Sequence, residues 1–169
     1  SFEVNSTDPI HRLVVNDLAL RLPDGAIVDT QTSDWVPPAR DLGDIPSGQE
    51  SVTVLAGLAL LDAQGGNCID IGDRPPRPRR YLREYLEVVD LHGEGKDEIS
   101  VERHALALLF DYETHSDYVT CPIARLVRTS QGRFELDPTF VPPCLFLSAH
   151  TRLTERMSRL SEILLAKSA

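Results

Sequence analysis

The sequence predicts a mainly β fold that ends in an α-helix, and three observations predict it. Short apolar runs recur between proline- and glycine-containing breaks through the first two thirds of the chain, the pattern of strands joined by turns. Residues 51–61 and 81–89 are rich in Val, Leu and Tyr, which suit a pleated, half-buried surface. From residue 151 to residue 167 there is no Pro and no Gly, and Leu153, Met157, Leu160 and Leu164 are spaced by four, three and four, which lines one face of a helix.

The elements follow in order. Residues 13–15 and 18–20 are apolar runs before Pro23-Asp24-Gly25, and residues 26–28 follow it. Proline presets φ and glycine accepts φ > 0, so Pro23, Asp24 and Gly25 form a turn with a hairpin about it. Residues 30–50 contain Pro37, Pro38, Gly43, Pro46 and Gly48 with little apolar material. A loop of that length in a compact domain is functional or packed down by its own side chains. Residues 51–61 then read as a buried strand. Residues 73–80, DRPPRPRR, favour an extended backbone and oppose helix. Residues 81–89 read as a strand, and Gly93-Glu94-Gly95-Lys96 as a hairpin-type loop. In residues 99–111 helix and strand compete: Val101, Ala105, Leu108 and Leu109 would share a helical face, but the neighbouring pattern favours strand. Residues 121–129 form a strand that ends at the Gln131-Gly132 turn, and residues 133–136 return from it. Pro138, Pro142 and Pro143 exclude a long helix through that stretch. Ser148 or Thr151 is expected to cap the final helix, and Lys167 lies favourably near its end.

Composition narrows the function. The 169 residues fit one domain, or one domain with an appendage, and bury a core without staples. A net charge of −9 repels phosphate backbones, so nucleic acid is not an expected partner. Cys68, Cys121 and Cys144 are odd in number and widely spaced, with no C-x-x-C or H-x-x-x-H pairing. That argues against a disulfide framework and a zinc site, and for free thiols in a reducing cytoplasm. The longest apolar run, residues 105–110, is far short of the roughly 20 residues needed to span a bilayer, so membrane insertion is not expected. The start, SFEVNSTDPIH, is polar and is no secretory signal. It begins with Ser rather than Met, so further upstream residues are expected.

Candidate sites are few. His11, His92, His104, His115 and His150 are scattered and no G-x-S-x-G motif exists, so a non-enzymatic role is expected. A hydrolase using His104 or His115 with an acidic neighbour is the contrary reading. Asp111, Glu113 and Asp117, with His115, lack the spacing of a Ca²⁺ loop and read as solvated; no cofactor is implied. Arg74, Arg77, Arg79 and Arg80, with Arg83, are the one basic cluster of an acidic chain. Guanidinium forks pair with carboxylates and phosphates, so the cluster is either a docking rim for an acidic partner surface or a solvated loop. Trp35, beside Val36-Pro37-Pro38, is either an exposed interface anchor or a plug for the open end of the fold. Leu153, Met157, Leu160 and Leu164 either pack on their own domain or form a self-association seam, because a lone helix of this length is marginal. Burial of such a seam contributes about 1.5–3 kcal/mol per large side chain before ordering costs.

Four segments carry a resemblance in order and spacing. They are Leu20-Arg21-Leu22-Pro23-Asp24-Gly25 with Ile27-Val28-Asp29; Glu87-Val88-Val89-Asp90 with Glu98-Ile99-Ser100-Val101; Tyr118 through Leu126, including Cys121-Pro122-Ile123-Ala124-Arg125; and Gly132 through Asp137 leading to Phe140-Val141-Pro142-Pro143-Cys144-Leu145 and Ser148-Ala149. The set, from about Leu18 to Lys167, resembles the TssK (ImpJ/VasE) family of bacterial type VI secretion baseplate subunits. Pro23, Asp24, Gly25, Pro142, Pro143 and Cys144 are its structural motif residues. Cys121 stands where the family pattern has leucine, and residues 2–16 match that family's start only loosely.

The resemblance implies an antiparallel two-sheet β-sandwich over residues 1–147, related to siphophage receptor-binding proteins, with residues 148–169 beginning a helical neck. It implies a homotrimer in the bacterial cytoplasm whose shoulder domain attaches to the TssF/TssG wedge. A C-terminal head, absent from this chain, would bind the inner-membrane complex. The expected role is a structural adaptor. The competing reading is a phage receptor-binding-like or carbohydrate-binding β-sandwich, for which ten aromatic residues give thin support.

Overall fold

The computed structural model describes residues 2–5, 11–90, 92–93 and 95–168. Its strands are β1 (Phe2–Asn5), β2 (Arg12–Val15), β3 (Ala19–Arg21), β4 (Ile27–Asp29), β5 (Arg40–Asp41), β6 (Ser51–Ala59), β7 (Cys68–Asp70), β8 (Tyr81–Val89), β9 (Lys96–His104), β10 (Ala107–Phe110), β11 (Tyr118–Arg128) and β12 (Phe134–Leu136). A 3₁₀ turn (Leu147–Ala149) leads into α1 (Thr151–Ser168). The fold is mainly β with a C-terminal helix, as the sequence predicts.

The strands form four hydrogen-bonded sheets, ordered β10-β6-β11-β12, β1-β2-β5, β3-β4 and β7-β8-β9. One core joins the first three. Val54, Ala56 and Leu58 of β6, Leu108 and Phe110 of β10 and Leu126 of β11 meet Leu13 and Val15 of β2 and Val28 of β4. β6 sits between β10 and β11, and from Val54 to Ala59 every residue is buried, as a strand covered on both faces requires. Gly57 lies in this run because there is no room for a side chain: a Cβ there would come within 2.7 Å of Leu109 Cδ1 and 3.2 Å of Tyr118 Cδ1.

The Pro23-Asp24-Gly25 turn joins β3 to β4. Gly25 takes φ 92°, Leu22 and Ala26 close the turn at 2.9 Å, and the Asp24 carboxylate accepts from the Ala26 N–H. The long loop of residues 30–50 is packed down by its own side chains. Leu42 and Ile45 enter the core, and β5 within the loop pairs with β2. Two- and three-residue ladders such as β5 and β7 are too short to carry a legible period.

Residues 99–111 are extended, as favoured over helix, but they serve two sheets. β9 stops at His104 and β10 begins at Ala107, with Leu106 buried between them. The pairing is antiparallel in every ladder except β7–β8, which is parallel; the proline–arginine segment of residues 71–80 is its crossover. Of the expected loop Gly93-Glu94-Gly95-Lys96, Glu94 lies outside the described residues, as do residues 6–10 of the loosely matched start. β11 carries a bulge between Pro122 and Ala124. Proline is tolerated there because β12 pairs only with Leu126–Arg128, so Pro122 lies on an unpaired edge.

The helix cap differs from expectation. His150, not Ser148 or Thr151, is the N-cap. Its carbonyl accepts from the Leu153 N–H at 2.9 Å, and its Nδ1 accepts from the Arg152 N–H at 3.2 Å. Ser148 is held in the preceding 3₁₀ turn.

Candidate docking surfaces

The basic cluster divides. Arg74 and Arg77 are exposed, and Arg79 is half-buried with Asp62 3.9 Å away. Arg80 is not part of any rim. It is 6% exposed and donates to the Ala59 carbonyl at 2.9 Å and to Asp24 at 2.6 Å. The expectation that Arg80 docks a partner is therefore corrected: a guanidinium entering the core must be paired internally, and the Asp24 of the turn is its partner. Burial pushes the Asp24 carboxyl up, but the Ala26 N–H and the Arg80 guanidinium outweigh it and hold the group below the usual carboxylate range. Arg83 lies 3.5 Å from Asp70 of the neighbouring strand.

Trp35 is 40% exposed and Val36 beside it 47%. An indole that open does not plug the fold; it presents an apolar face at the surface. Its neighbour Asp34 is buried and saturated. The carboxylate accepts from the backbone N–H groups of Asp29 and His104 at 3.0 Å each, from the Ser33 hydroxyl, and from His104 Nδ1 at 3.1 Å. Burial raises the Asp34 carboxyl, and those hydrogen bonds bring it below its ordinary value. Arg103 donates to Glu84 across the ladder and to the Ser33 carbonyl. The loop carrying Trp35 is thereby stitched to the base of β9. Asp34 is the acid that His104 pairs with among the described residues; Asp111 is elsewhere, accepting from the Thr53 N–H.

The acidic stretch 111–117 is structural rather than merely solvated. Glu113 takes a forked pair from Arg40 at 2.6 and 3.2 Å and caps the Phe110 N–H at 2.8 Å. The Arg40 guanidinium stacks over the Phe110 ring at 4.5 Å. Burial raises the Glu113 carboxyl, but Arg40 and the Phe110 N–H hold it below its ordinary value. Among the described residues no group of three His, Cys, Asp or Glu side chains is placed to hold a metal ion. No described helix is long and apolar enough to cross a membrane.

The remaining motif residues gather at one end. Pro142, Pro143 and Cys144 line an open cleft of about 480 Å³ with Leu20 of β3 and Cys121 and Ile123 of the β11 bulge. The Cys144 thiol donates to the Pro142 carbonyl at 3.2 Å. Burial, then the neighbouring Cys144, pushes the Cys121 thiol up, so it stays protonated. Beyond the cleft the chain leaves the domain. Leu145, Phe146 and Leu147 are exposed, and along α1 Met157, Leu160 and Leu164 are 43%, 49% and 58% exposed, with Leu153 half-buried. Met157, Leu160 and Leu164 of the predicted stripe therefore do not pack on the described domain.

Comparison with known proteins comes to the same place. Residues 9–169 match the family model for bacterial type VI secretion proteins that includes EvfL, ImpJ and VasE. A solved structure of the type VI secretion system TssK–TssF–TssG baseplate subcomplex is similar at 39% identity and a TM-score of 0.84, over 98% of this chain and 54% of that one. A structure of the type VI baseplate complex is similar at 35% and 0.83, over 99% and 53%. TssK from EAEC in complex with a nanobody is similar at 36% and 0.78, over 98% and 36%. This chain thus spans about half of the first two matched chains and about a third of the last. No curated protein matches.

Proposed function

The chain belongs to the ImpJ/VasE family of bacterial type VI secretion proteins, and from that premise we propose that it is the shoulder domain and first neck helix of a baseplate subunit. Its work is mechanical: a rigid β domain attaches to the TssF/TssG wedge, and α1 begins a trimeric neck. The similarity to a chain of the TssK–TssF–TssG subcomplex, at 39% identity over 98% of this chain, carries the reading. The stripe Leu153, Met157, Leu160 and Leu164, exposed from Met157 onward, supports the neck. A helix with this much apolar surface open to water gains stability from a second and third copy. Trp35, Arg74, Arg77 and Arg79 are the proposed wedge-facing residues, with an exposed aromatic, the exposed Arg74 and Arg77 and the half-buried, Asp62-paired Arg79 as anchors. The reading places the protein in the bacterial cytoplasm, with a further C-terminal region reaching the inner-membrane complex. It assigns no enzymatic step and no cofactor.

Two measurements test it. The native mass of the protein extended through its neck is that of three chains, and a single-chain mass overturns the trimer. A tagged chain co-expressed with TssF and TssG captures both; capture of neither overturns the attachment.

A further inference from the structure

The β8–β9 hairpin stands outside the core. None of its described residues joins the buried cluster, and among the described residues β7 covers β8 only at Tyr81, Leu82 and Arg83. Beyond that point Glu84–Val89 and Lys96–Val101 form a ribbon of two strands, which is marginal in water without a third.

Its register says which backbone groups are unused. The Ala105 N–H bonds to the Arg80 carbonyl and the Asp90 N–H to the Gly95 carbonyl. Hydrogen-bonded and non-hydrogen-bonded pairs alternate in an antiparallel ladder. The inward-bonded residues of β9 are therefore Asp97, Ile99, Val101 and Arg103, and the outward-pointing ones are Glu98, Ser100, Glu102 and His104. His104 confirms the phase, because its N–H is donated outward to Asp34 at 3.0 Å. The loop holding Asp34 closes the edge at that residue and no further. The next three outward groups have no partner among the described residues.

The two faces of this edge differ in chemistry. One carries Glu98 and Glu102, with Arg83 directly opposite Glu102 and Glu87 directly opposite Glu98, the latter a like-charge pairing that destabilises a ladder. Lys96 answers Glu87 at 2.5 Å, and Glu98 has no ion pair among the described residues. The other face carries Ile99 and Val101 with Leu86 and Val88 beside them, between Asp97 at one end and the Arg103–Glu84 pair at the other; Ile99 is 43% exposed. Acid on one face repels a second copy of the same edge.

We propose that the outer edge of β9, from Glu98 to Glu102, is a strand-addition site for an extended segment of a partner protein in which basic side chains alternate with apolar ones. The segment's backbone would pair with Glu98, Ser100 and Glu102. Its basic side chains would meet Glu98 and Glu102, and its apolar side chains would cover Ile99 and Val101. This deepens the baseplate reading and rests on it only for the partner's identity.

The test uses the whole chain and a short peptide of alternating lysine and valine, read by amide hydrogen exchange. Exchange at Glu98, Ser100 and Glu102 slows about tenfold or more with the peptide, while Ile99 and Val101, already in the ladder, change little. The same peptide N-methylated on alternate amides gives no protection, nor does the plain peptide on Ser100→Pro, where proline removes an outward donor and no ladder bond. Peptide binding without that protection, equal protection by the N-methylated peptide, or no binding overturns the inference. Capture of TssF and TssG is scored separately, so its failure sinks the baseplate reading alone.

Discussion

Arg80 and Asp24 hold each other across the domain. The guanidinium leaves the end of the proline–arginine crossover, enters the core and meets the turn carboxylate of the β3–β4 hairpin at 2.6 Å. The Arg80 side chain is 7% exposed and that of Asp24 29%. Removal of the acid strands a buried cation. Asp24→Ala is expected to cost about 2–3 kcal/mol, less than a fully buried broken pair because the Asp24 side reaches solvent. Urea denaturation measures it. Arg80→Met, which removes the charge rather than stranding it, costs less; equal losses would mean the turn, not the pair, is what matters.

Gly57 sits where β6 passes beneath Leu109 and Tyr118. Gly57→Ala places a Cβ within 2.7 Å of Leu109 Cδ1 and costs about 1–3 kcal/mol of unfolding free energy, measured by urea denaturation. The double variant with Leu109→Ala recovers part of the strain component, and strictly additive losses would contradict the packing explanation.

Four described carboxylates titrate below their ordinary values: Asp137, held down by the Thr139 hydroxyl and N–H, and three that anchor long-range contacts. Asp24, Asp34 and Glu113 all titrate below their ordinary values of 3.8, 3.8 and 4.5. The unfolded chain therefore binds protons before the native state does, and the contribution of these groups is complete above the ordinary values and lost as pH falls through the depressed ones. Stability is expected to be flat from neutral pH to about 5 and to fall below about 4. Asp34→Asn lowers the plateau and flattens the acid limb. A limb of unchanged slope would show that Asp34 does not carry it.

The sequence made long elements legible and short ones not. The Pro23-Asp24-Gly25 turn, β6, β8, β11 and α1 are readable because turn chemistry, strand-forming composition or, for α1, a helical period marks each of them. β5 and β7 are not, since two or three residues carry no period and exist only through β2 and β8 beside them. The division of residues 99–111 between two sheets is a tertiary event: the strand signal was right and the break at Ala105 had no local marker. The arginine cluster was visible as charge, but which arginine turns inward was not. Arg80 is selected by an acid 56 residues away. His150 escaped notice as a cap because its imidazole is an uncommon N-cap acceptor.

The α1 stripe makes a separable prediction. Leu160→Asp leaves domain stability within about 0.5 kcal/mol, because the side chain is exposed in the single chain. In the protein extended through its neck the same change converts the trimer to single chains in analytical ultracentrifugation. Loss of domain stability with the mass unchanged would mean that α1 packs on its own domain.

The most direct measurement is size-exclusion chromatography with mass determination on this chain mixed with TssF and TssG at moderate salt, with the full-length protein run beside it. A co-eluting complex with the wedge subunits is the predicted result, weakened by charge reversal at Arg77 and Arg79. Failure of both this chain and the full-length protein to bind would contradict the assignment of the domain as the baseplate attachment.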